Sequence, residues 1–265
     1  MKKIVLFILC FFTFIINVFA LDDPTLYSKN YCLYDLTDDK MIYEKNIQER
    51  TNIASLTKIM TTITAIEKIN NLDDYVTITS EMLSNIKYDA SLAGLKIGDK
   101  LTYKDLLYAS ILPSGADATQ ALAYSLSGSI NSFVNDMNTL AKKIGMESSN
   151  FVNVTGLDID NHYSTVNDLL KMLQYALKNE TFKTIYTTKS YTLSNGLVVD
   201  ATVKKYNNLM KLDVSRIIGS KTGYTNKAGL CISSIFESNN HEFIFISTNA
   251  EFIYGNYYNL KDNLN

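Results

Sequence analysis

Hydrophobic and polar residues follow two different periods along the chain. An alternation of two, typical of strands, occupies residues 31–35, 41–43, 191–193, 217–222, 229–236 and 242–248. Between the early and late strands the period is helical, as in the stripe Leu56, Ile59, Ile63, Ile66 and Ile69. We therefore predict an α+β fold, an α/β sandwich. Its antiparallel sheet is built from both ends of the chain and flanked by helices, with an all-helical lobe inserted between them.

Local signals set the expected ends of the helices. One helix is predicted over residues 55–69, and a second over residues 103–112 with Thr102 as its cap. Pro113, Ser114 and Gly115 break the second helix, and another runs on from Asp117. Further helices are predicted over residues 131–144 and 169–177, and a capping box of Thr165 and Asp168 opens the last one.

The first twenty residues have the pattern of a signal peptide. Two lysines follow Met1, residues 4–16 are almost wholly apolar, and the Val18-Phe19-Ala20 sequence favours cleavage after Ala20. An uncleaved N-terminal anchor is the alternative, although the apolar run is shorter than the ~20 residues that a membrane span needs. We expect an exported protein in which residues 21–265 form one domain, with membrane contact only through an uncleaved signal.

Composition narrows the function mainly by exclusion. The net charge of −2 gives no basic excess for binding a nucleic acid. Outside the predicted signal the cysteines are Cys32 and Cys231, which lie in apolar strand-like runs. Two buried free thiols are favoured over a disulfide. No spacing resembles a metal site, and only His162 and His241 could supply a histidine base.

Three short motifs carry the candidate chemistry. They are Ser55-x-x-Lys58 at a helix start, Ser114-Gly115-Ala116 between two helices, and Lys221-Thr222-Gly223 on a strand. A serine hydroxyl needs a base within hydrogen-bond reach, and residues i and i+3 share one face of a helix. Lysine acts as a base when burial or a nearby cation lowers its pKa. The order of the motifs predicts a serine acyl-transfer site.

Each motif alone is a weak signal. A second Ser-x-x-Lys pattern, Ser84 to Lys87, is interpreted as surface. Ser55 alone could simply cap a helix, and the Lys221 motif alone could be an ordinary strand end. Their order and their three different contexts favour one common site.

With these motifs, the chain resembles the serine-type D-alanyl-D-alanine carboxypeptidases, the low-molecular-mass penicillin-binding proteins of peptidase family S11. The likeness covers roughly residues 31–249. It also includes the stretches at residues 52–54, 95–99, 151–157, 162–165 and 221–225. The resemblance implies a β-lactamase/transpeptidase-like fold and no metal or organic cofactor. It implies a peptidoglycan stem peptide ending in D-Ala-D-Ala as substrate, and β-lactams as inhibitors.

The resemblance also implies a role for each motif residue. Ser55 would attack the carbonyl between the terminal D-alanines, Lys58 would take its proton, and Ser114 would relay a proton to the leaving nitrogen. Lys221 and Thr222 would bind the terminal carboxylate region of the substrate. The backbone N–H groups of Ser55 and Tyr224 would form the oxyanion hole, with Gly223 allowing the strand to come close. His162 would be structural in this family.

Two departures from the family pattern keep alternatives open. The second motif usually ends in asparagine, and Ala116 lacks the amide that would orient Lys58. A catalytically weakened wall-binding or sporulation-associated relative is therefore one alternative. A β-lactamase is another, although residues 150–168 contain no glutamate for deacylation. The other departure is at the C-terminus, where we expect no β-rich stalk.

Overall fold

A five-stranded antiparallel sheet joins the two ends of the described chain. The computed structural model describes residues 26–204, 214–253 and 256–257, so the predicted signal peptide lies outside the described residues. Its strands are β1 Ser28–Asp35, β2 Lys40–Lys45, β7 Ile217–Thr225, β8 Gly229–Ser238 and β9 His241–Ala250. Their order across the sheet is β2-β1-β9-β8-β7. The predicted sheet from both chain ends is confirmed.

Helices fill the chain between β2 and β7. They are α1 Thr57–Lys68, α2 Tyr103–Ile111, α3 Ala116–Ser127, α4 Ile130–Lys143, α5 Val166–Leu177 and α6 Glu180–Thr187. Three small two-stranded sheets pair β3 Tyr75–Thr77 with β4 Lys100–Thr102, β5 Ser190–Thr192 with β6 Val198–Asp200, and β10 Phe252–Ile253 with β11 Asn256–Tyr257. The inserted helical lobe is confirmed, whereas α6, β3, β4 and β6 had no clear sequence signal.

The first residues of α2 and α5 test the two caps that the sequence predicts. The Thr102 hydroxyl accepts the Asp105 N–H at 3.1 Å, and the Asp105 carboxylate accepts the Thr102 N–H at 2.9 Å, which completes a capping box. Thr165 likewise accepts the Asp168 N–H at 3.1 Å. The predicted box at Thr165 is nevertheless wrong in its second half. The Asp168 carboxylate accepts the Ser148 N–H and the Ser149 hydroxyl, both at 2.8 Å, and so ties α5 to the preceding loop.

Helix α1 lies at the centre of the fold. It contacts α2, α3, α4, α5 and α6, while α5 packs against β1 and β9, and α6 packs against β7. Leu56, Ile59 and Ile63 of the predicted apolar stripe are fully buried, whereas Ile66 and Ile69 are only partly buried and Ile69 lies just after the end of α1. Cys32 and Cys231 are buried free thiols, which confirms that prediction, and burial raises the pKa of each to about 12. None of the helices in the described ranges is long and apolar enough to span a membrane.

Gly156 provides the tightest backbone contact between the inserted lobe and the start of α1. Its φ is +84°, and a Cβ there would lie 1.8 Å from the Ala54 carbonyl oxygen. Gly128 has a similar φ of +74° at the end of α3, but a Cβ there would meet nothing within 4 Å. Only glycine enters this backbone region without strain. A side chain would therefore be strained at both positions, but it would also collide with a neighbouring backbone atom only at position 156.

We expect Gly156→Ala to destabilise the protein much more than Gly128→Ala. The Gly128 variant should lose only the ~1–2 kcal/mol of left-handed strain in an L-residue. The Gly156 variant should lose that and also displace the backbone at Ala54. Denaturant unfolding of the two variants measures the difference. Equal losses would contradict the close packing.

Candidate active site

Ser55 lies on a short 3-10 turn, Ala54–Leu56, that leads directly into α1. The turn begins with an unusual backbone, since φ of Ala54 is +44°. Strand β7 comes close on one side, because a Cβ on Gly223 would lie 2.7 Å from the Ser55 nitrogen and 2.9 Å from Ala54 Cβ. A glycine is therefore required at position 223 for the strand and the serine turn to meet.

The side-chain nitrogen of Lys58 lies next to the hydroxyl of Ser55, which is one helical turn earlier in the chain. Lys58 Nζ is 3.0 Å from Ser55 Oγ and 2.7 Å from the carbonyl oxygen of Thr155. The residue is 2% exposed. Burial lowers the pKa of Lys58 to about 7, and the negative charge of Asp117 opposes part of that shift. Near neutral pH a large fraction of Lys58 is thus an uncharged amine facing a hydroxyl.

Ser114 and Lys221 form a second serine–lysine pair. Ser114 lies on the elbow between α2 and α3 with φ of +64°, a strained conformation for a serine. Lys221 Nζ, from β7, donates to Ser114 Oγ at 2.9 Å and to the Thr222 carbonyl at 2.7 Å. Burial, together with the charge on Lys58, holds the pKa of Lys221 well below its usual range. The two pairs therefore share one electrostatic environment.

Thr222 has a hydrogen-bond partner that no sequence motif predicts. Its hydroxyl oxygen lies 2.7 Å from that of Thr202. The Thr202 N–H also donates to the Leu112 carbonyl at 3.1 Å, just before the Ser114 elbow. Thr202 thus links strand β7 to the elbow. It belongs to no motif, so only the fold could identify it.

Tyr224 of β7, whose backbone N–H is predicted to form part of the oxyanion hole, has its side chain at the surface. The side chain is exposed, and the hydroxyl donates to Asn226 Oδ1 at 3.1 Å. Its backbone pairs with Leu230 of β8 in the sheet register. Any role of Tyr224 in the site itself is thus one for its backbone.

Ala116 and Asp117 open α3 beside the Ser114 elbow. Ala116 is fully buried, and its N–H donates to the Ser91 carbonyl at 2.8 Å. The buried Asp117 carboxylate accepts the N–H groups of Ala93, Gly94 and Leu95 at 2.8–3.0 Å. The Asp117 side chain therefore holds the preceding loop while adding a negative charge near Lys58.

His162 is bound on both ring nitrogens away from Ser55. Nδ1 accepts the Val152 N–H at 3.0 Å, so Nε2 carries the proton and donates it to Thr57 Oγ1 at 2.8 Å. Burial lowers the pKa of His162 to about 4, which keeps the ring neutral. These contacts fit the structural role that the resemblance implied.

Burying the Lys58 amine should cost stability in a way that depends on pH. The folded pKa of about 7 lies below the ordinary value of 10.5, so the unfolded chain binds more protons between these values. The penalty is complete below pH ~7 and is relieved as pH rises toward ~10.5. Lys58→Met should therefore be more stabilising, or less destabilising, at pH ~6 than at pH ~9.5. Thermal unfolding of both proteins tests this, and a difference independent of pH would contradict it.

Comparisons with known proteins agree with this architecture. The family model described as peptidase S11, D-alanyl-D-alanine carboxypeptidase, matches residues 17–251. D-alanyl-D-alanine carboxypeptidase DacF of Bacillus subtilis is 33% identical over 229 residues, which cover 83% of this chain and 56% of that protein. D-alanyl-D-alanine carboxypeptidase of Streptomyces sp. strain K15 is 36% identical over 203 residues, covering 72% of this chain and 70% of that protein. The chain thus spans little more than half of the Bacillus relative.

Solved structures show the same fold. The crystal structure of the Streptomyces K15 DD-transpeptidase superposes with a TM-score of 0.80 at 28% identity, covering 92% of this chain and 98% of that one. The D-alanyl-D-alanine carboxypeptidase of Mycobacterium tuberculosis reaches the same TM-score at 22% identity, covering 93% of this chain and 92% of that one, and supports the fold alone. The predicted transpeptidase-like fold is confirmed, and the chain belongs to the D-alanyl-D-alanine carboxypeptidase family, peptidase S11.

Proposed function

We propose that this protein is a serine D-Ala-D-Ala carboxypeptidase that removes the terminal D-alanine of a peptidoglycan peptide through an acyl-enzyme on Ser55. The observation that carries the proposal is the buried Lys58 amine, with its pKa near 7, lying 3.0 Å from Ser55 Oγ. A base is most effective when its pKa is close to the working pH. The substrate belongs to the cell wall, so we propose that the protein acts outside the cytoplasmic membrane.

Acylation uses both serine–lysine pairs. Neutral Lys58 takes the Ser55 proton while Ser55 Oγ bonds to the carbonyl carbon between the two D-alanines. The carbon–nitrogen bond then breaks, and the leaving amine takes the hydroxyl proton of Ser114. Ser114 regains a proton from Lys221, whose Nζ lies 2.9 Å away. The products are an acyl-enzyme, free D-alanine, protonated Lys58 and neutral Lys221.

Deacylation returns the site to its starting state. Water attacks the acyl carbonyl and gives its proton through Ser114 to Lys221. Lys58 returns its proton to Ser55 Oγ as the ester bond breaks. Each group thus acts once as acid and once as base, and both lysines recover their initial protonation.

The terminal carboxylate of the substrate is assigned to Lys221 and Thr222. Lys221 is fully buried, so its charge is costly in the free protein. An entering carboxylate supplies the opposite charge and favours protonated Lys221, the form that acylation requires. Thr202 holds the Thr222 hydroxyl at 2.7 Å and thereby sets its direction.

The oxyanion hole is assigned to the backbone N–H groups of Ser55 and Tyr224. Two backbone donors from separate elements can stabilise the negative oxygen of a tetrahedral intermediate. The close approach at Gly223, 2.7 Å from an added Cβ to the Ser55 nitrogen, supports this assignment. Any side chain at position 223 would push the two donors apart.

Ala116 favours one alternative, a relative that binds wall peptides and turns them over slowly. A side-chain amide could orient Lys58, and alanine cannot. The Thr155 carbonyl, 2.7 Å from Lys58 Nζ, already supplies an acceptor for that purpose. We therefore favour the active enzyme. The β-lactamase alternative would need a glutamate for deacylation, and residues 150–168 contain none. Asp158 in that stretch does not replace it, because its carboxylate accepts the Thr225 hydroxyl at 2.7 Å.

We expect the purified protein to be labelled by a fluorescent penicillin and to release D-alanine from a peptide ending in D-Ala-D-Ala. Ser55→Ala should abolish both, because no acyl-enzyme can form. Ser84→Ala is the matched control, since Ser84 starts the other Ser-x-x-Lys sequence but donates to the Glu81 carbonyl at 2.7 Å. Labelling without D-alanine release would support the binding relative. Labelling that survived in Ser55→Ala would refute the site.

We expect the acylation rate to rise with pH through about 7, because only neutral Lys58 accepts the Ser55 proton. Well below that pH the rate should increase about tenfold per pH unit, and at higher pH it should fall again once Lys221 loses the proton that acylation requires. The measurement is the rate of penicillin acylation at subsaturating concentration. Lys58→Arg should be inactive at every pH, since arginine stays protonated. A flat profile from pH ~5 to ~8 would exclude Lys58 as the base.

A further inference from the structure

Thr202 follows strand β6 and contacts two parts of the proposed site. Its N–H donates to the Leu112 carbonyl at 3.1 Å, just before the Ser114 elbow, and its hydroxyl oxygen lies 2.7 Å from that of Thr222. Lys221, the residue before Thr222, donates to Ser114 Oγ at 2.9 Å, so these bonds form a ring that begins and ends at the elbow. Thr202 therefore links the elbow to the residue that is assigned to the substrate carboxylate.

The backbone position of Thr202 does not depend on its hydroxyl. The flanking side chains of Ala201 and Val203 are buried. The Ala201 N–H donates to the Lys189 carbonyl at 2.9 Å, and the Lys204 N–H donates to the Ala201 carbonyl at 3.0 Å. A substitution that removes only the hydroxyl of Thr202 therefore breaks one side-chain bond and leaves the backbone bond to the elbow in place.

The two hydroxyl groups of Thr202 and Thr222 can share only one proton between their oxygens. When Thr202 donates, the hydroxyl proton of Thr222 remains available for another acceptor. When Thr222 donates, only the proton of Thr202 remains available. A carboxylate that accepts the Thr222 hydroxyl therefore requires Thr202 to be the donor of the pair.

The charge of a carboxylate strengthens such a chain of hydrogen bonds. A hydrogen bond to an ionised acceptor is roughly twice as strong as one between neutral groups. Hydrogen bonds in series polarise one another, so a bond from Thr202 makes the Thr222 hydroxyl a better donor to the anion. A neutral terminal amide gains less from the same chain. The pair of threonines thus favours a ligand that ends in a carboxylate over one that ends in an amide.

We propose that Thr202 is a positioning residue that gives the site part of its preference for a free terminal carboxylate. Its hydroxyl donates to Thr222, and the Thr222 hydroxyl donates to the carboxylate. The proposal rests on the carboxypeptidase function and adds to it a specificity determinant that lies outside the three motifs. Thr202 takes no part in the transfer of protons between substrate and enzyme.

The test compares two thioesters, acetyl-D-alanyl-thioglycolate and acetyl-D-alanyl-thioglycolamide, which differ only in the terminal group. Thioesters acylate a serine more readily than amides do, so cleavage without the carboxylate is measurable. Release of the free thiol gives kcat/KM for each, and Ser55→Ala gives the uncatalysed background. We expect the wild type to prefer the carboxylate, and Thr202→Val to reduce that preference about fivefold, as for the loss of one hydrogen bond.

Two further variants separate the hydroxyl from the packing around it. Thr202→Ser keeps the hydroxyl and should keep the wild-type preference. Thr187→Val is the matched control, since Thr187 is also partly exposed and its hydroxyl donates to the Lys183 carbonyl at 2.9 Å within α6. This control should keep the wild-type preference as well.

An unchanged preference in Thr202→Val would overturn the proposal, because the hydroxyl would then support only the fold of the elbow. The same reduction in Thr202→Ser or in Thr187→Val would also overturn it, as would a wild type that cleaves both thioesters equally well. All these results leave the acyl-enzyme on Ser55 intact. Failure of the function itself looks different, with neither thioester cleaved and no penicillin label on Ser55, and the proposal would fail with it.

Discussion

The removal of Lys58 from water is the interaction on which the rest of the site depends. An ammonium buried in an apolar interior loses its hydration, and the pKa falls until the neutral amine is accessible near pH 7. A flexible surface pair of serine and lysine would keep the ordinary pKa and would not serve as nucleophile and base. The fold achieves this burial by placing α1 at the centre of the helical lobe, where α2 to α6 pack around it and β7 contacts the turn that carries Ser55.

Lys221 is a second lysine whose ammonium is removed from water in the same site. Its ammonium is also fully buried, and the Lys58 charge adds repulsion to the cost of burial. Two cations in one dry site disfavour each other, so the free protein favours states in which at least one lysine is neutral. A substrate carboxylate changes that balance because it supplies the missing counter-charge. Substrate binding and proton distribution are then coupled through the field of the site.

The sequence predicted the parts of the site that depend on local spacing. Ser55 and Lys58 meet because i and i+3 share a helix face, and the alternation in β7 and β8 was sufficient to place the sheet. It could not predict contacts that need the assembled fold. The Lys221–Ser114 contact joins residues 107 positions apart. Resemblance grouped these two residues in one site, but their hydrogen bond requires the fold.

Other features were missed because their signal is weak or absent. Strands β3 and β4 are three residues long, too short for an alternation to be read. Thr202 has no motif, and its importance comes only from the two elements that it bridges. The predicted capping box at Thr165 was wrong in part, because the Asp168 carboxylate accepts hydrogen bonds from Ser148 and Ser149 of the preceding loop. Tertiary contacts took precedence over a local pattern.

Because residue 116 is alanine, no side-chain amide at that position can orient Lys58, and the backbone carbonyl of Thr155 orients it. The Thr155 carbonyl can accept from Lys58 whether the amine is charged or neutral, so it fixes the position of Nζ in both protonation states. That carbonyl is held by Asn153, whose Oδ1 accepts the N–H groups of Thr155 at 3.0 Å and Gly156 at 2.7 Å. Asn153 Nδ2 closes the loop by donating to the Leu157 carbonyl at 2.9 Å. An asparagine therefore still supports the lysine, but it acts through the backbone of a neighbouring loop.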